Sequence, residues 1–150
     1  MNDAPLETIE EAITADVSLE RAWSVLTGEE HVPRWLGCLH YKKMIGHVFY
    51  MQPDQKRREA GEIEGATHCE ILALDEPYCF RFSWYLPGTP KTEVAIELKE
   101  VAPKKTQAKL KHSGWDQFQA QEIRQVWEML KGGWKSAVLP NFRKTAETDA

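Results

Sequence analysis

The sequence contains few cysteines and no long apolar run. Its three cysteines, Cys38, Cys69 and Cys79, are odd in number and widely spaced, which argues against a disulfide framework or a zinc knuckle. We expect these thiols to be reduced and mostly buried, because a free cysteine behaves as a small hydrophobic residue. No apolar run approaches the roughly 20 residues that span a bilayer, and the first six residues contain no signal-peptide core. A cytoplasmic protein without membrane insertion is therefore the default expectation.

Motifs for catalysis and cofactor binding are missing as well. There is no Gly-rich phosphate loop, no His-Glu-x-x-His, no Gly-x-Ser-x-Gly and no Cys-x-x-Cys. Cys38 and His40 are two positions apart, but no further ligand has the spacing of a metal site. The formal net charge of -4 shows no basic excess for binding nucleic acid. We predict no catalytic residue, no metal, no cofactor and no nucleic-acid partner, and we favour a binding protein over an enzyme.

Large aromatic side chains, in contrast, are plentiful. Six tryptophans in 150 residues indicate either a wide core or a lined cavity. From Trp115 to the end, helical spacing predicts one long helix with Asp116 as its N-cap. Its apolar stripe comprises Ile123, Val126, Trp127, Leu130, Trp134, Val138 and Phe142. A broad sheet is the natural partner for such a stripe. Because Pro140 interrupts the pattern, we expect a kink or an early end between Ala137 and Asn141.

The first third of the chain predicts a strand followed by two short helices. The strand covers Thr8 to Thr14. Ser18 is a suitable N-cap for a helix that runs through Leu26 and ends at Gly28, and a second helix ends near Gly37. We expect all of residues 1–150 to form a single domain.

The middle of the chain predicts an antiparallel meander with one covered face. Its strands fall near residues 46–51, 65–74, 78–86, 92–99 and 106–112, and short turns join them. The charged segment 53–59 is typical of a solvated hairpin tip. The strand near residues 65–74 leaves an alternative open, because either His68 with Glu70 or Cys69 with Ile71 could face inward. With His112, the first pair would form a polar cluster in an apolar cavity.

Several local motifs occur together in an order typical of one family. They are Glu20–Thr27 with Trp35, Leu74–Tyr78 leading into Phe82-Ser83-Trp84, His112-Ser113-Gly114-Trp115, and Gly133-Trp134. In these motifs the chain resembles the START-like superfamily (SRPBCC, helix-grip or Bet v 1-like), and within it the activator of Hsp90 ATPase homologue family. It has only Gly46 where that family usually has a glycine pair. The resemblance implies an α+β helix-grip fold, with a curved antiparallel sheet around a long C-terminal helix.

The resemblance also implies a cavity between sheet and helix that takes a small hydrophobic or aromatic molecule, lipid-like or polyketide-like. Combined with strand and helix parity, it predicts a set of ligand-binding residues: Trp35, Phe80, Phe82, Trp84, Ile96, Leu110, His112, Trp127, Leu130 and Trp134. Two alternatives stay open. One is a co-chaperone-like regulator of an Hsp90-type ATPase. The other is a polyketide cyclase-like enzyme or a stress protein that sequesters a toxin, in which His112 would be the polar group. A small ligand or a chaperone is the expected partner, and the chain is a monomer or a homodimer.

Overall fold

A curved antiparallel sheet dominates the computed structural model, which describes residues 6–52 and 54–148. Its strand order is β1-β7-β6-β5-β4-β3-β2. The strands are β1 (Ile9–Ala15), β2 (Cys38–Leu39), β3 (Val48–Met51), β4 (Thr67–Asp75), β5 (Cys79–Trp84), β6 (Thr92–Ala102) and β7 (Lys105–Ser113). From β3 to β7 consecutive strands are also neighbours, as the predicted meander requires, and β1 closes on β7.

Helices occupy the concave side and the ends of this sheet. They are α1 (Leu19–Thr27), α2 (Val32–Leu36), α3 (Gln55–Glu59), α4 (Ala120–Gly133) and α5 (Leu139–Glu147). A 3₁₀ turn (Trp115–Gln117) precedes α4, and a π-helical turn (Trp134–Val138) joins α4 to α5. This arrangement is the predicted helix-grip fold.

The two short helices after β1 begin and end where the sequence indicates. The Ser18 hydroxyl accepts a hydrogen bond from the Arg21 amide at 3.1 Å, which caps α1. At the other end, the Gly28 amide donates to the Ser24 carbonyl at 2.8 Å. Gly37 ends α2 with a φ of 68°, a left-handed conformation that glycine adopts without strain.

The charged segment after β3 connects the antiparallel strands β3 and β4 and buries none of its helical residues, as expected of a solvated hairpin tip, but it is more ordered than a simple turn. Asp54 caps the one-turn helix α3 by accepting from the Arg57 amide at 3.1 Å. The Arg58 guanidinium donates to the Gln52 carbonyl at 2.7 Å, and the Arg57 guanidinium donates to the Glu64 carbonyl at 3.0 Å. Two of the three basic side chains therefore tie this segment together. Pro53 lies outside the described residues.

The C-terminal helix differs from its prediction in two details. Asp116 lies in the 3₁₀ turn, and Gln119 stands at the N-cap of α4 without a capping hydrogen bond from its side chain. The irregularity expected near Pro140 begins earlier, at Trp134, and the Leu139 amide donates to the Trp134 carbonyl. Pro140 then occupies the first turn of α5, where its missing N–H costs little, so the helix continues to Glu147.

The two halves of this helix pack unequally. In α5, Leu139, Phe142 and Ala146 are buried, and the Phe142 ring meets Trp35 of α2 edge to face at 5.6 Å. In α4 only Ala120 is fully buried. The apolar stripe of α4 is half-buried, because this half of the helix is not pressed against the sheet. The space beside α4 is where a cavity forms.

Candidate functional site: a cavity beside the C-terminal helix

A cavity of about 370 Å³ lies between α2, one edge of the sheet and the C-terminal helix. This volume is in the range of small-molecule sites. Its wall is mainly apolar, and the apolar side chains that face it include Trp35, Leu36, Met51, Trp84, Leu130 and Val138. Met129 also lines the cavity, although 65% of its surface is exposed, so the cavity communicates with solvent along α4.

Polar side chains at the cavity come from α2, the segment around α3, β4 and α5: Arg34, Gln52, Arg58, Thr67 and Asn141. Gln52 is held within the protein, because its amide nitrogen donates to the carbonyls of Glu62 and Glu64 and its amide oxygen accepts from the Asp54 amide. Arg58 uses one nitrogen on the Gln52 carbonyl. Arg34 is exposed, and no carboxylate oxygen in residues 6–52 and 54–148 lies within ion-pair distance of it.

Trp84, at the end of β5, lines the cavity and also carries an unsatisfied donor. Only 6% of this residue is exposed, and its Nε1 is buried without a hydrogen-bond partner among the described residues. A buried N–H without a partner costs about 1–3 kcal/mol, and native proteins usually avoid this cost. Because the nitrogen atom itself is buried, an acceptor would reach it only if the ring or a neighbouring side chain moved.

His112 lies deeper, inside a closed chain of hydrogen bonds. Trp134 Nε1 and His112 Nδ1 are 3.2 Å apart, and His112 Nε2 and the Thr92 hydroxyl oxygen are 2.7 Å apart. The Thr92 hydroxyl donates to the Trp84 carbonyl at 2.6 Å. Since an indole nitrogen can only donate, Nδ1 must accept, so Nε2 carries the proton and donates to Thr92. Every polar atom of the imidazole is thereby satisfied.

Burial also keeps His112 uncharged. The side chain is fully buried, and desolvation lowers its pKa to about 3. A neutral imidazole whose two nitrogens are both engaged can neither donate a proton to a ligand nor accept one from it. The structure thus gives His112 a structural role in the core.

The predicted binding residues lie at three depths. Trp35, Trp84 and Leu130 line the cavity. Trp127 is half-buried on α4, and its Nε1 donates to the Glu7 carbonyl at 2.8 Å. The remaining six pack in the closed core, each 0–1% exposed: Phe80, Phe82, Ile96, Leu110, His112 and Trp134. Contact of any of these ten residues with a ligand stays a prediction.

Several cavity residues were not singled out from the sequence. They include Arg34, Met51, Arg58 and Met129, which are ordinary residue types for the helices and the strand β3 in which they lie, and no spacing marks them. Only the fold of α2 and α3 over one end of the sheet brings the two arginines to a common cavity.

The inward face of β4 is resolved by its burial pattern. Cys69 and Ile71 are fully buried, whereas His68 and Glu70 lie on the outer face of the sheet. The His68 ring stands between Tyr50 and Tyr85, with centroid separations of 4.9 and 5.5 Å. A polar cluster of His68, Glu70 and His112 therefore does not form.

Cys38 and His40 show no metal site either. Cys38 is buried, and desolvation raises its thiol pKa to about 12, whereas His40 is exposed. In the described ranges, no group of three or more His, Cys, Asp or Glu side chains is placed to hold a metal ion. Nor does any helix between residues 6 and 148, Pro53 aside, have the length and apolarity to cross a membrane.

Solved structures with this architecture come from distant organisms. Protein BH1534 of Bacillus halodurans is 23% identical, with 95% of this chain and 99% of that chain covered at a TM-score of 0.72. PFC0360w, an HSP90 activator from Plasmodium falciparum, is 17% identical, with 91% and 94% covered at a TM-score of 0.71. DynU16, a protein in the dynemicin biosynthetic locus, is 18% identical, with 96% of this chain but 48% of that chain covered at a TM-score of 0.72. At these identities the likeness shows the fold.

Sequence comparison identifies the family. No curated protein matches this chain significantly. The sequence profile of one family, however, matches residues 16–146, which include every described element from α1 to the buried Ala146 of α5. The chain belongs to the family of activator of Hsp90 ATPase homolog 1-like proteins.

Proposed function

We propose that this protein binds a small hydrophobic or aromatic molecule in the cavity beside α4, without transforming it. One observation carries the proposal: a mainly apolar, solvent-connected cavity of about 370 Å³ whose lining includes the two tryptophans Trp35 and Trp84. Indole rings offer wide flat surfaces on which a planar ring can stack.

Loose packing of α4 supports the same function. The apolar side chains of this helix stay half-buried, and the exposed Met129 lies on the cavity rim. A ligand could therefore reach the cavity without unfolding the core, to which α5 and β7 contribute buried residues. The fold likeness to DynU16, from a biosynthetic locus for dynemicin, is in keeping with a natural product as ligand.

Native mass spectrometry tests the proposal. The purified protein is measured alone and after mixing with a library of hydrophobic ring compounds. We expect a retained or an acquired small-molecule mass. Leu130→Trp should abolish it by filling the cavity, whereas Leu72→Trp, on an exposed position of β4, should not. A ligand-free mass with every compound would refute the proposal.

A second candidate function is regulation of an Hsp90-type ATPase. The family profile and the fold likeness to a Plasmodium falciparum HSP90 activator, of which 94% is covered, favour it. We expect such a regulator to change the ATP turnover of its cognate chaperone in proportion to the amount added. Unchanged turnover at saturating protein would count against this function and would leave ligand binding unaffected.

The enzyme alternative is less favoured than ligand binding. A cyclase would need a polar group in contact with substrate, and His112 is enclosed by Trp134, Thr92 and the protein core. A cytoplasmic location and a monomeric or homodimeric state stay predictions from the sequence.

A further inference from the structure

We propose that the ligand of this cavity is an amphipathic anion, such as a carboxylate with an aromatic or acyl body, whose charged group is bound by Arg34 and Arg58. This inference rests on the proposed function and names the chemical class that the same cavity selects.

Charge is distributed one-sidedly around the cavity. Arg34 and Arg58 both line it, and none of its described lining residues is an aspartate or a glutamate. Arg34 forms no ion pair with the described carboxylates, and Arg58 forms none either. Two uncompensated guanidinium groups beside an apolar wall attract a ligand that is apolar at one end and anionic at the other.

Both arginines lie close to the end of α2. Arg34 lies in α2, one helical turn before Gly37, and a Cβ on Gly37 would lie 3.3 Å from Arg58 Nη1. Glycine at this position therefore lets the Arg58 side chain rest against the end of α2. The hydrogen bond from Arg58 Nη1 to the Gln52 carbonyl holds the group in place and leaves its other N–H groups available.

The rest of the cavity carries no opposing charge. Its other described lining residues are apolar or uncharged, and the polar ones are Gln52, Thr67 and Asn141. The Gln52 amide is already hydrogen-bonded within the protein. A ligand with a carboxylate at one end and an apolar body is complementary to this lining.

Matched pairs of probes separate this inference from the proposed function. The pairs are 2-naphthoate with 2-naphthamide and decanoate with 1-decanol, so that body size is kept while the charge changes. Affinities are measured by titration calorimetry at neutral pH and low salt. We expect each carboxylate to bind about tenfold more tightly than its neutral counterpart, with the difference shrinking as salt is added.

Arginine variants then assign the effect to the cavity. Arg34→Gln should weaken carboxylate binding by about tenfold and leave the neutral probe unchanged, because Arg34 is exposed and tethered by no hydrogen bond in the described structure. Arg34→Glu should weaken it further. Arg143→Gln, an exposed arginine of α5 away from the cavity, is the matched control and should change nothing. For Arg58→Gln, binding is interpreted only if the melting temperature of the variant is unchanged, because Arg58 also holds the segment around α3.

Each outcome has a distinct meaning. Equal affinity for both members of each pair would overturn the proposal that the ligand is an anion, and so would unchanged carboxylate binding in Arg34→Gln and Arg34→Glu. Neither result would contradict the proposal that the cavity binds a small molecule. Binding of none of the four probes, together with a ligand-free mass across the compound library, would overturn both proposals.

Discussion

Trp134 in the π-helical turn and His112 on β7 are joined by a hydrogen bond of 3.2 Å between Nε1 and Nδ1. This bond couples the irregular point of the C-terminal helix to β7, the strand next to the edge strand β1. Because Thr92 occupies the other imidazole nitrogen, the contact also determines which tautomer His112 adopts. Both side chains are buried in the closed core, and neither lines the cavity beside α4.

The His112 network should make stability depend on pH. With its pKa lowered to about 3 in the folded state and near 6.5 in the unfolded chain, His112 takes up a proton on unfolding between these values. Stability is therefore full above pH 6.5 and falls as the pH drops, by up to about 1.4 kcal/mol per pH unit. Urea unfolding at pH 7, 6 and 5 should show this slope. His112→Gln should flatten it, and an equal slope in that variant would contradict the assignment.

Two tryptophan substitutions should differ in cost. Trp134→Phe removes a satisfied N–H and leaves His112 Nδ1 without a donor, whereas Trp84→Phe removes an N–H that has no partner. We expect Trp134→Phe to lower the free energy of unfolding by about 1–2 kcal/mol more than Trp84→Phe, as measured by chemical denaturation. A larger loss in Trp84→Phe would mean that its indole N–H is already satisfied in solution.

Truncation of Trp134 tests whether it belongs to the core. The residue is 1% exposed, so Trp134→Ala should cost about 3–5 kcal/mol. Trp127→Ala on the half-buried part of α4 is the comparison and should cost clearly less. A loss below about 1 kcal/mol for Trp134→Ala would place this side chain against an open cavity instead.

Arg21 should be a strong anchor for the C-terminus. Its guanidinium donates to the carbonyls of Thr145, Ala146 and Thr148 at 3.3, 3.2 and 2.7 Å, which satisfies carbonyls at the end of α5. Arg21→Ala should lower the free energy of unfolding by about 1–3 kcal/mol and increase amide exchange in α5. Arg143→Ala, an exposed arginine of the same helix, should stay within about 0.5 kcal/mol of the parent protein.

The three thiols should react in a fixed order. Cys38 and Cys69 are buried, whereas Cys79 is partly exposed. Burial raises the pKa of all three thiols, and Cys79 is the least buried of them. Iodoacetamide at pH 8 should label Cys79 first in the native protein and the other two only after unfolding. Intact-mass spectrometry counts the labels. Rapid labelling of Cys69 in the native state would show that the sheet opens between β3 and β5.

Local signals in the sequence predicted the ends of helices correctly wherever one residue determines the backbone conformation there. Ser18 as a cap and Gly37 as a terminator bounded the first two helices correctly, because a capping hydrogen bond and a left-handed φ depend on neighbouring residues alone. Strand parity likewise placed Phe80 and Phe82 inside. The prediction was wrong at Asp116, where a 3₁₀ turn intervenes, and it missed the one-turn helix in segment 53–59, where Arg57 and Arg58 donate to backbone carbonyls outside α3.

The candidate site was predicted only in part, for a different physical reason. An aromatic stripe shows that side chains will be buried but not whether they meet one another or leave a gap. Trp134 and Phe142 are fully buried in the core, whereas Leu130, from the same stripe, borders the cavity. That difference arises from the unequal packing of α4 and α5 on either side of the π-helical turn.

The sequence by itself determined the order of the elements and the inward parity of most strands, since these depend on periodicity and on local caps, and its resemblance to a known family implied the helix-grip fold. The tertiary structure alone decided three further points: that His112 is sealed by Trp134 and Thr92, that Cys69 and not His68 faces the core, and that Arg34 and Arg58 share a cavity. Each depends on which distant surfaces come into contact, and a linear pattern of polar and apolar residues does not specify those contacts.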